Sequence, residues 1–371
     1  MNVSANANPF TPNFGQIPEV FAGREDIRHA AIEALEYPWG HPNQTTIIIG
    51  ARGTGKTALL RSILNEAEQR GWIAASVTCL NGMLEDILQQ AYRRGSALAT
   101  PEPTAVLTGL GIGQLINAEW TPTQTGELNW RSRISNLLDE LAEHDAGLLL
   151  VIDEVDPDLD EMVQLAAVYQ QLVGENRKIA LFMAGLPHRV SRLLTNKSVS
   201  FLRRAAQHRL ESLSPSEVSD AFRATVDKAG KSIPDSALED AVDAIDGFPY
   251  MMQLVGYRAW QAASEESSIE DAAVLEGAQR AENDMRTRVL QSTLDELSPK
   301  DLEFLNAMLE DDDVTRADAI AERLGRSSAH VATYRRRLLE QGVIADLGRT
   351  SFKFALPGLR DYLPEYLTYN L

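Results

Sequence analysis

The sequence predicts an α/β fold: a parallel sheet covered by helices, followed by a helical region and a small C-terminal helix-turn-helix domain. Short continuous apolar runs alternate with helical periodicity up to about residue 212, which is typical of parallel strands joined by helical crossovers. Helical spacing alone then continues to residue 297. Beyond Ser298 and Pro299, a compact three-helix pattern ends in alternating apolar residues.

The first segment, residues 1–22, is rich in Asn, Pro and Ala and has no periodicity. We expect an extended arm that wraps the following domain. Glu25 to Glu36 then shows the spacing of a helix.

A glycine-rich loop follows the β-branched run Thr45 to Ile49. Gly50 to Thr57, GARGTGKT, fits the P-loop, or Walker A, pattern G-x-x-x-x-G-K-[ST] and precedes an apolar-periodic stretch. This strand, loop and helix order aims backbone N–H groups at phosphates, while Lys56 reaches the β- and γ-phosphates and Thr57 offers its hydroxyl to Mg²⁺. We therefore expect ATP and Mg²⁺ to bind at Gly50, Gly53, Thr54, Gly55, Lys56, Thr57 and Ala58.

The next strand and helix are expected near Trp72 to Thr78 and Met83 to Arg94. A Thr, Pro and Gly-rich insert then covers about residues 97–128. Apolar pairs flank three glycines in this insert, so we expect a β-hairpin there.

A second acidic strand follows the helix expected at Trp130 to Glu143. Leu148 to Ile152, LLLVI, ends at Asp153 and Glu154, which is a Walker B pattern. Asp153 can hold the Mg²⁺ shell, and Glu154 can polarise the attacking water. A solvated acidic turn is the alternative interpretation of these residues. The spacing of about 100 residues between the P-loop and the Walker B pattern favours the catalytic interpretation.

The remaining α/β elements are a buried strand from Ile179 to Met183, a segment through Arg203 and Arg204, and a strand from Gln207 to Leu210. They complete an alternating pattern, which predicts a parallel sheet covered on both faces.

Composition limits the classes of protein. A chain of 371 residues exceeds one ordinary core, so we expect two or three domains. The single cysteine, Cys79, excludes an internal disulfide and fits a reducing cytoplasm. No apolar run reaches membrane-spanning length and no signal pattern opens the chain, which argues for a cytoplasmic location and against a membrane.

The net charge of −18 argues against indiscriminate binding to nucleic acid. Residues 314–360, however, carry nine basic against four acidic side chains, a net charge of +5, so the rest carries −23. Any contact with a polyanion is therefore expected in this C-terminal segment.

The two Walker motifs, the later strand, the paired arginines, the helical region and the C-terminal winged helix together resemble AAA+ ATPases. Their order is similar to that of the origin-recognition initiator ATPases and the STAND signal-transduction ATPases. The resemblance covers nearly the whole chain from about Phe14, and only the Walker motifs are highly specific. It implies a nucleotide held between the α/β domain and a helical lid, and often an oligomer whose neighbour completes the site.

Three further site assignments follow from this resemblance. The box Gly23-Arg24-Glu25 is similar to the segment that packs beside adenine, although a charged helix start is the alternative. Arg203 and Arg204 stand where AAA+ subunits place an arginine finger, or they complement a helix dipole. Pro249 belongs to a Gly247-Phe248-Pro249 stretch that resembles the GxP motif of STAND ATPases, or it forms a tight turn.

The chain also departs from these families. The strand tip Ala184 to Pro187 has no polar sensor 1 residue, and no sensor 2 arginine is evident in the lid. Phe354 to Pro357 lacks the histidine that STAND winged domains use to sense phosphate. We therefore expect slow hydrolysis that depends on a neighbouring subunit.

The C-terminal module has a helix-turn-helix pattern in Thr315 to Leu324 and Ser327 to Gln341, with the turn at Gly325. Small polar residues can approach base edges while cations take phosphates. The candidate DNA contacts are Ser327, Ser328, His330, Thr333, Tyr334, Arg335, Arg336, Arg337 and Lys353. Docking on a protein or on an acidic face of this chain is the alternative.

The sequence thus predicts an ATP-switched, slowly hydrolysing, oligomeric ATPase that associates with duplex DNA. The alternative is a signalling or scaffold ATPase, for example in defence, whose winged helix binds protein. The expected domains are an arm, an ATPase domain, a helical lid and a winged helix, at residues 1–22, 23–212, 213–297 and 298–371.

Overall fold

The computed structural model describes residues 7–13, 15–37, 39–95, 129–348 and 350–370. The β-hairpin expected at residues 97–128 lies outside the described residues, as do residues 1–6 of the arm.

A five-stranded parallel sheet forms the centre of the N-terminal half, with strand order β2-β3-β4-β1-β5. β3 and β4 are almost continuous apolar runs because helices bury them on both faces. β1 lies between β4 and β5, so the loop that follows it leaves near the middle of the sheet. The strands are β1 Thr45–Ile49, β2 Trp72–Thr78, β3 Gly147–Asp153, β4 Ile179–Gly185 and β5 Ala206–Arg209.

Alternate residues of the strands fill two cores. One core joins Ile48 and Phe182 to helices α1 and α2, and the other joins Ile47 and Met183 to helices α3 to α5. A 3₁₀ segment, Lys197–Arg204, precedes β5. The helices are α1 Glu25–Leu35, α2 Lys56–Gln69, α3 Met83–Gly95, α4 Trp130–Glu143, α5 Asp160–Gly174 and α6 Pro187–Thr195.

The helical lid begins at a capping box in which Ser214 and Glu217 satisfy each other's backbone N–H groups. Its last long helix continues into a π-helical turn, Arg286–Leu290. The lid helices are α7 Pro215–Lys228, α8 Asp235–Ile245, α9 Pro249–Ala262, α10 Asp271–Met285 and α11 Gln291–Asp295.

The C-terminal module combines four helices with a three-stranded antiparallel sheet of order β6-β8-β7. Its core is continuous with that of the lid, and Tyr366 donates a hydrogen bond to Asp295 at 2.8 Å. Lid and module therefore pack as one unit. The elements are α12 Pro299–Met308, β6 Thr315–Arg316, α13 Ala317–Leu324, α14 Ser328–Glu340, β7 Ile344–Asp346, β8 Ser351–Phe354 and α15 Leu359–Asn370.

The N-terminal arm crosses from the lid to α2, the helix that follows the P-loop. Phe10 is buried among lid residues, with its ring 4.9 Å from that of Phe222. Farther along, the carbonyl of Gly15 accepts a hydrogen bond from Arg61 of α2. The arm thus wraps the lid before it reaches the sheet domain. No helix within the described ranges combines the length and apolarity of a membrane span.

Candidate nucleotide-binding site

The glycine-rich loop joins β1 to α2 in a conformation that requires glycine. Gly53 and Gly55 have φ values of +76° and +88°, in the left-handed region. A Cβ on Gly53 would also lie 2.6 Å from the Phe248 ring. Gly55 is the N-cap of α2, so the free N–H groups of the helix start face outward toward an anion.

Lys56 is buried behind this loop, and its Nζ donates a hydrogen bond to the carbonyl of Ala51 at 2.8 Å. Burial lowers the pKa of Lys56, and the nearby carboxylates of Glu154 and Asp153 offset part of this shift. A phosphate would add the negative charge that favours the ammonium form at this position.

Thr57, at the start of α2, meets Asp153, at the end of β3, although β4 lies between β3 and β1, the strand that precedes α2. The Thr57 hydroxyl donates to Asp153 Oδ2 at 2.6 Å. A hydroxyl and a carboxylate are oxygen ligands of the kind that Mg²⁺ takes together with waters and phosphate oxygens. These two side chains therefore fit the expected metal position.

Glu154 adopts a left-handed conformation, with φ of +56°, that is uncommon for a residue with a side chain. Its N–H donates to Asp153 Oδ1 at 2.9 Å, and the next residue, Val155, is tied to Ala184 of β4. The turn places Glu154 in the wall of the adjoining cavity. Strain of this kind often accompanies a functional position.

That cavity has a volume of about 430 Å³, which suits a nucleotide. Its wall combines the arm, the P-loop, the start of α9 and the π-helical turn. The lining includes Thr11, Pro18 and Phe21 from the arm, Arg24 at the start of α1, residues 52–58, Glu154, Pro249, Tyr250 and Gln253 from α9, and Arg288 and Ser292.

The lid contacts the P-loop at the start of α9. Pro249 is the first residue of α9 and lines the cavity, and the N–H of Tyr250 donates to the carbonyl of Gly53 at 3.2 Å. The preceding Gly247 has φ of +65°, and a Cβ there would lie 2.4 Å from the carbonyl oxygen of Leu213. Only glycine fits this approach, so the Gly247-Phe248-Pro249 stretch forms a tight turn, and Pro249 alone of the three residues lines the cavity.

Gly23 and Arg24 have different surroundings. Arg24, with φ of +66°, lines the cavity and donates to the carbonyl of Glu211. Burial lowers the pKa of Arg24, while Glu217 and Glu211 act in the opposite direction. Gly23 packs against Glu217 instead, where a Cβ would lie 2.4 Å from the carboxylate.

Arg203 and Arg204 end the 3₁₀ segment before β5, and both are exposed. Arg203 Nε donates to the carbonyl of Leu194 at 2.7 Å. Both lie outside the cavity wall that the described residues form in this chain. A role on a neighbour's nucleotide stays a prediction.

Sequence reasoning missed two cavity arginines and most of the arm. Arg288 reaches the cavity from the π-helical turn, which shifts the side chains that follow a regular helix and leaves no signal in apolar spacing. Arg52 occupies an unconstrained position of the P-loop pattern.

The N-terminal half of α14 presents polar side chains to solvent. Ser327, Ser328 and Thr333 are exposed, and Ser327 caps the helix by accepting the N–H of His330. The His330 ring lies 4.7 Å from that of Tyr334, and Lys353 is half-buried on β8.

The three consecutive arginines of α14 differ in their surroundings. Arg335 is only 16% exposed, pairs with Asp346 at 2.6 Å and lies over the Phe352 ring. Arg337 pairs with the buried carboxylate of Asp301 at 2.7 Å. Arg336 is 73% exposed. Arg335 therefore has the least exposed guanidinium of the three, and phosphate contacts by these arginines stay a prediction.

The comparisons with known proteins agree with this geometry. Residues 20–183 match the AAA ATPase domain family, and residues 287–363 match a domain of unknown function, DUF8462. No curated protein matches the chain.

The solved structures are similar over almost their whole length. The Walker-type ATPase PABY2304 of Pyrococcus abyssi has a TM-score of 0.67 and 17% identity, covering 93% of this chain and 96% of that one. The ADP form of the Aeropyrum pernix ORC2 protein has a TM-score of 0.53 and 15% identity, covering 96% and 97%. The chain therefore has the AAA+ P-loop fold, and the match to the AAA ATPase domain family falls on residues 20–183.

Proposed function

We propose that this protein is an ATP-binding, slowly hydrolysing switch, similar to AAA+ and STAND ATPases, that couples nucleotide state to oligomerisation and to DNA association through a C-terminal winged helix. One observation carries the proposal: the C-terminal module packs directly on the P-loop.

This contact involves the residue that follows the last turn of α14. A Cβ on Gly342 would lie 2.8 Å from the Cβ of Ala51, so the two backbones approach closely. Nearby, the imidazole Nδ1 of His188, on α6, is 3.1 Å from the carbonyl oxygen of Glu340. The loop that would hold phosphates thus touches the end of the helix that would read DNA.

An ion pair supports the same coupling. Arg52 of the P-loop lies 2.7 and 3.0 Å from the two carboxylate oxygens of Glu296, at the end of α11. Both side chains are substantially exposed, and pairs of this kind contribute only about 0–1 kcal/mol. Phosphate binding can therefore draw Arg52 away at little cost and loosen the lid, which shares its core with the module.

The lid provides a second route. Nucleotide in the cavity would contact Pro249 and Arg288, which belong to the lid. Because lid and module share one core, a shift of the lid moves the module with it.

Hydrolysis would use Lys56 on the β- and γ-phosphates and Glu154 to orient water. Mg²⁺ bound by Thr57 and Asp153 would neutralise phosphate charge. The tip of β4 is buried and apolar, so it offers no polar side chain to orient the water that attacks the γ-phosphate. Turnover is therefore slow and depends on Arg203 or Arg204 of a neighbouring copy.

DNA association would use the exposed start of α14. Ser327, Ser328 and Thr333 suit a groove and Arg336 suits a phosphate. The local net charge of +5 in residues 314–360 favours this segment over the acidic remainder.

Protein docking is the second candidate function of the module, in a signalling or scaffold ATPase. The observation that favours it is that Arg335 and Arg337 form ion pairs within the module. Those pairs reduce the number of cations available to a phosphate backbone.

The test is duplex DNA affinity over a range of salt concentrations, with ATP, with ADP and without nucleotide. We expect a salt-dependent affinity that changes with ATP in the native chain, and no ATP effect in Lys56→Ala. An absence of salt-dependent DNA binding in every nucleotide state would favour protein docking.

A further inference from the structure

The turn after β3 contains one residue more than the strand ladder accommodates. The N–H of Leu148 donates to the carbonyl of Lys178 at 2.9 Å where the parallel ladder between β3 and β4 begins. A parallel ladder engages every second residue, so six residues farther along it would bring the N–H of Glu154 to the carbonyl of Ala184. The N–H of Val155 donates to that carbonyl instead, at 2.9 Å. Glu154 is therefore the extra residue of a β-bulge.

This bulge determines where Glu154 lies. A bulge bends its strand and redirects a side chain, and bulges are common next to active sites. Here the N–H of Glu154 turns back to Asp153 Oδ1 at 2.9 Å, its φ is +56°, and the residue lines the nucleotide cavity. The bond from Val155 to Ala184 closes the bulge, so the position of Val155 fixes that of Glu154.

Gly185, the last residue of β4, provides the space that Val155 occupies. Val155 is fully buried, and a Cβ on Gly185 would lie 2.4 Å from Val155 Cγ2 and 3.2 Å from Val190 Cγ2. The backbone of Gly185 does not have a left-handed φ, so packing alone requires glycine here. Val155 is β-branched and stiff at χ1, so its side chain cannot easily rotate away.

Gly185 also contacts the other half of the site. It pairs with Ile49 of β1, and its carbonyl accepts a hydrogen bond from the N–H of Gly50, the first residue of the P-loop, at 3.3 Å. Resting on the proposed hydrolysis by Glu154, we propose that Gly185 is a positioning residue for ATP hydrolysis. By leaving room for Val155, it closes the bulge that holds Glu154 in the cavity wall beside the P-loop.

The first test is Gly185→Ala, which adds the Cβ and keeps the carbonyl that Gly50 contacts. We expect kcat to fall about 10- to 100-fold, because a displacement of about 1 Å in a catalytic group costs this much. ATP affinity, measured by calorimetry, should not change. The matched control is Gly174→Ala at the end of α5, where an added Cβ meets nothing within 4 Å and both quantities should stay at their native values.

Removing the obstructing methyl groups tests the contact itself. Val155→Ala combined with Gly185→Ala should restore kcat to the value of Val155→Ala alone, since the clash is gone. A double variant as slow as Gly185→Ala would overturn the role of Val155. If Gly185→Ala does not fold by itself, the comparison of Val155→Ala with the double variant still decides the matter, because a large loss there would overturn the proposal.

A third comparison asks whether Gly185 acts through Glu154. In a Glu154→Gln background, single-turnover hydrolysis should not fall further when Gly185→Ala is added, because the group that Gly185 positions is already absent. A further loss of the same size would show that the glycine acts elsewhere. A loss of ATP affinity equal to the loss of kcat in Gly185→Ala would assign Gly185 to the P-loop and overturn the proposal.

This inference and the proposed function fail in different ways. If Glu154→Gln loses hydrolysis and Gly185→Ala keeps it, the positioning role is wrong while the proposed function stands. If Glu154→Gln hydrolyses ATP at the native rate, the proposed role of Glu154 is wrong and the role of Gly185 falls with it.

Discussion

Lys56 is an almost fully buried cation whose pKa is lowered by burial and only partly restored by Glu154 and Asp153. A triphosphate adds negative charge beside Lys56. The electrostatic attraction between the phosphates and this buried ammonium is stronger than it would be with an exposed lysine. We predict that Lys56→Ala abolishes ATP binding, measured by calorimetry. The thermal unfolding of the nucleotide-free variant checks that it is folded, and undiminished ATP affinity would refute the P-loop assignment.

Glu154 and Asp153 are neighbours with separable roles. Asp153 holds Thr57 and the metal position, whereas Glu154 lines the cavity from a left-handed backbone. We predict that Glu154→Gln keeps ATP affinity and loses steady-state hydrolysis, because the amide cannot polarise water. Asp153→Asn is the contrasting variant and should weaken Mg²⁺-dependent binding. Hydrolysis at the native rate in Glu154→Gln would contradict this division.

At the scale of single elements, the π-helical turn Arg286–Leu290 is the feature with the clearest consequence, since it brings Arg288 to the cavity. We predict that Arg288→Ala weakens ATP binding about 10-fold, the effect of one charge-assisted hydrogen bond. The matched control is Arg280→Ala, which removes an exposed arginine paired with Glu276 on the preceding helix α10. Equal ATP affinity in both variants would remove Arg288 from the site.

Helix α14 carries three consecutive arginines that differ in exposure and in ion pairing. We predict that Arg336→Ala weakens duplex DNA binding at all sequences and reduces the salt slope by about 1, since one phosphate contact is lost. Arg335→Ala should instead lower the unfolding temperature, because it removes the contacts with Asp346 and Phe352. A salt slope that is unchanged even when Arg335, Arg336 and Arg337 are all replaced by alanine would favour the protein-docking alternative.

Elements with a strong local pattern could be predicted from the sequence. The apolar runs of β1 and β3 predict strands because both faces of these strands are buried. The GARGTGKT pattern predicts the loop between β1 and α2. The position of the arm could not be predicted, because Phe10 is held by long-range contacts with Gly256 and Phe222 rather than by periodicity. The ion pair of Arg335 with Asp346 could not be predicted either, because helical spacing does not show which acidic residue of another element a side chain meets.

At the scale of the whole molecule, the site within one chain holds Arg52 and Arg288, while Arg203 and Arg204 stand exposed outside its wall. We predict that specific ATPase activity rises with protein concentration as copies assemble, and that replacing both Arg203 and Arg204 with alanine removes this rise. Sedimentation of the variant checks that assembly persists. Activity that stays flat through assembly would exclude a finger supplied by a neighbour.

The central claim is that nucleotide occupancy repositions the C-terminal module. Two contacts transmit the change: Ala51 with Gly342 of the module, and Arg52 with Glu296 of the lid, which shares its core with the module. The chain has one cysteine, so Cys79→Ser gives a background for two spin labels. Glu33→Cys on α1 and Ala332→Cys on α14 place the labels at exposed positions. The distance between them, measured by electron paramagnetic resonance, should change when ATP is added and should not change when Lys56→Ala is also present. An identical distance distribution with and without bound ATP would contradict the account.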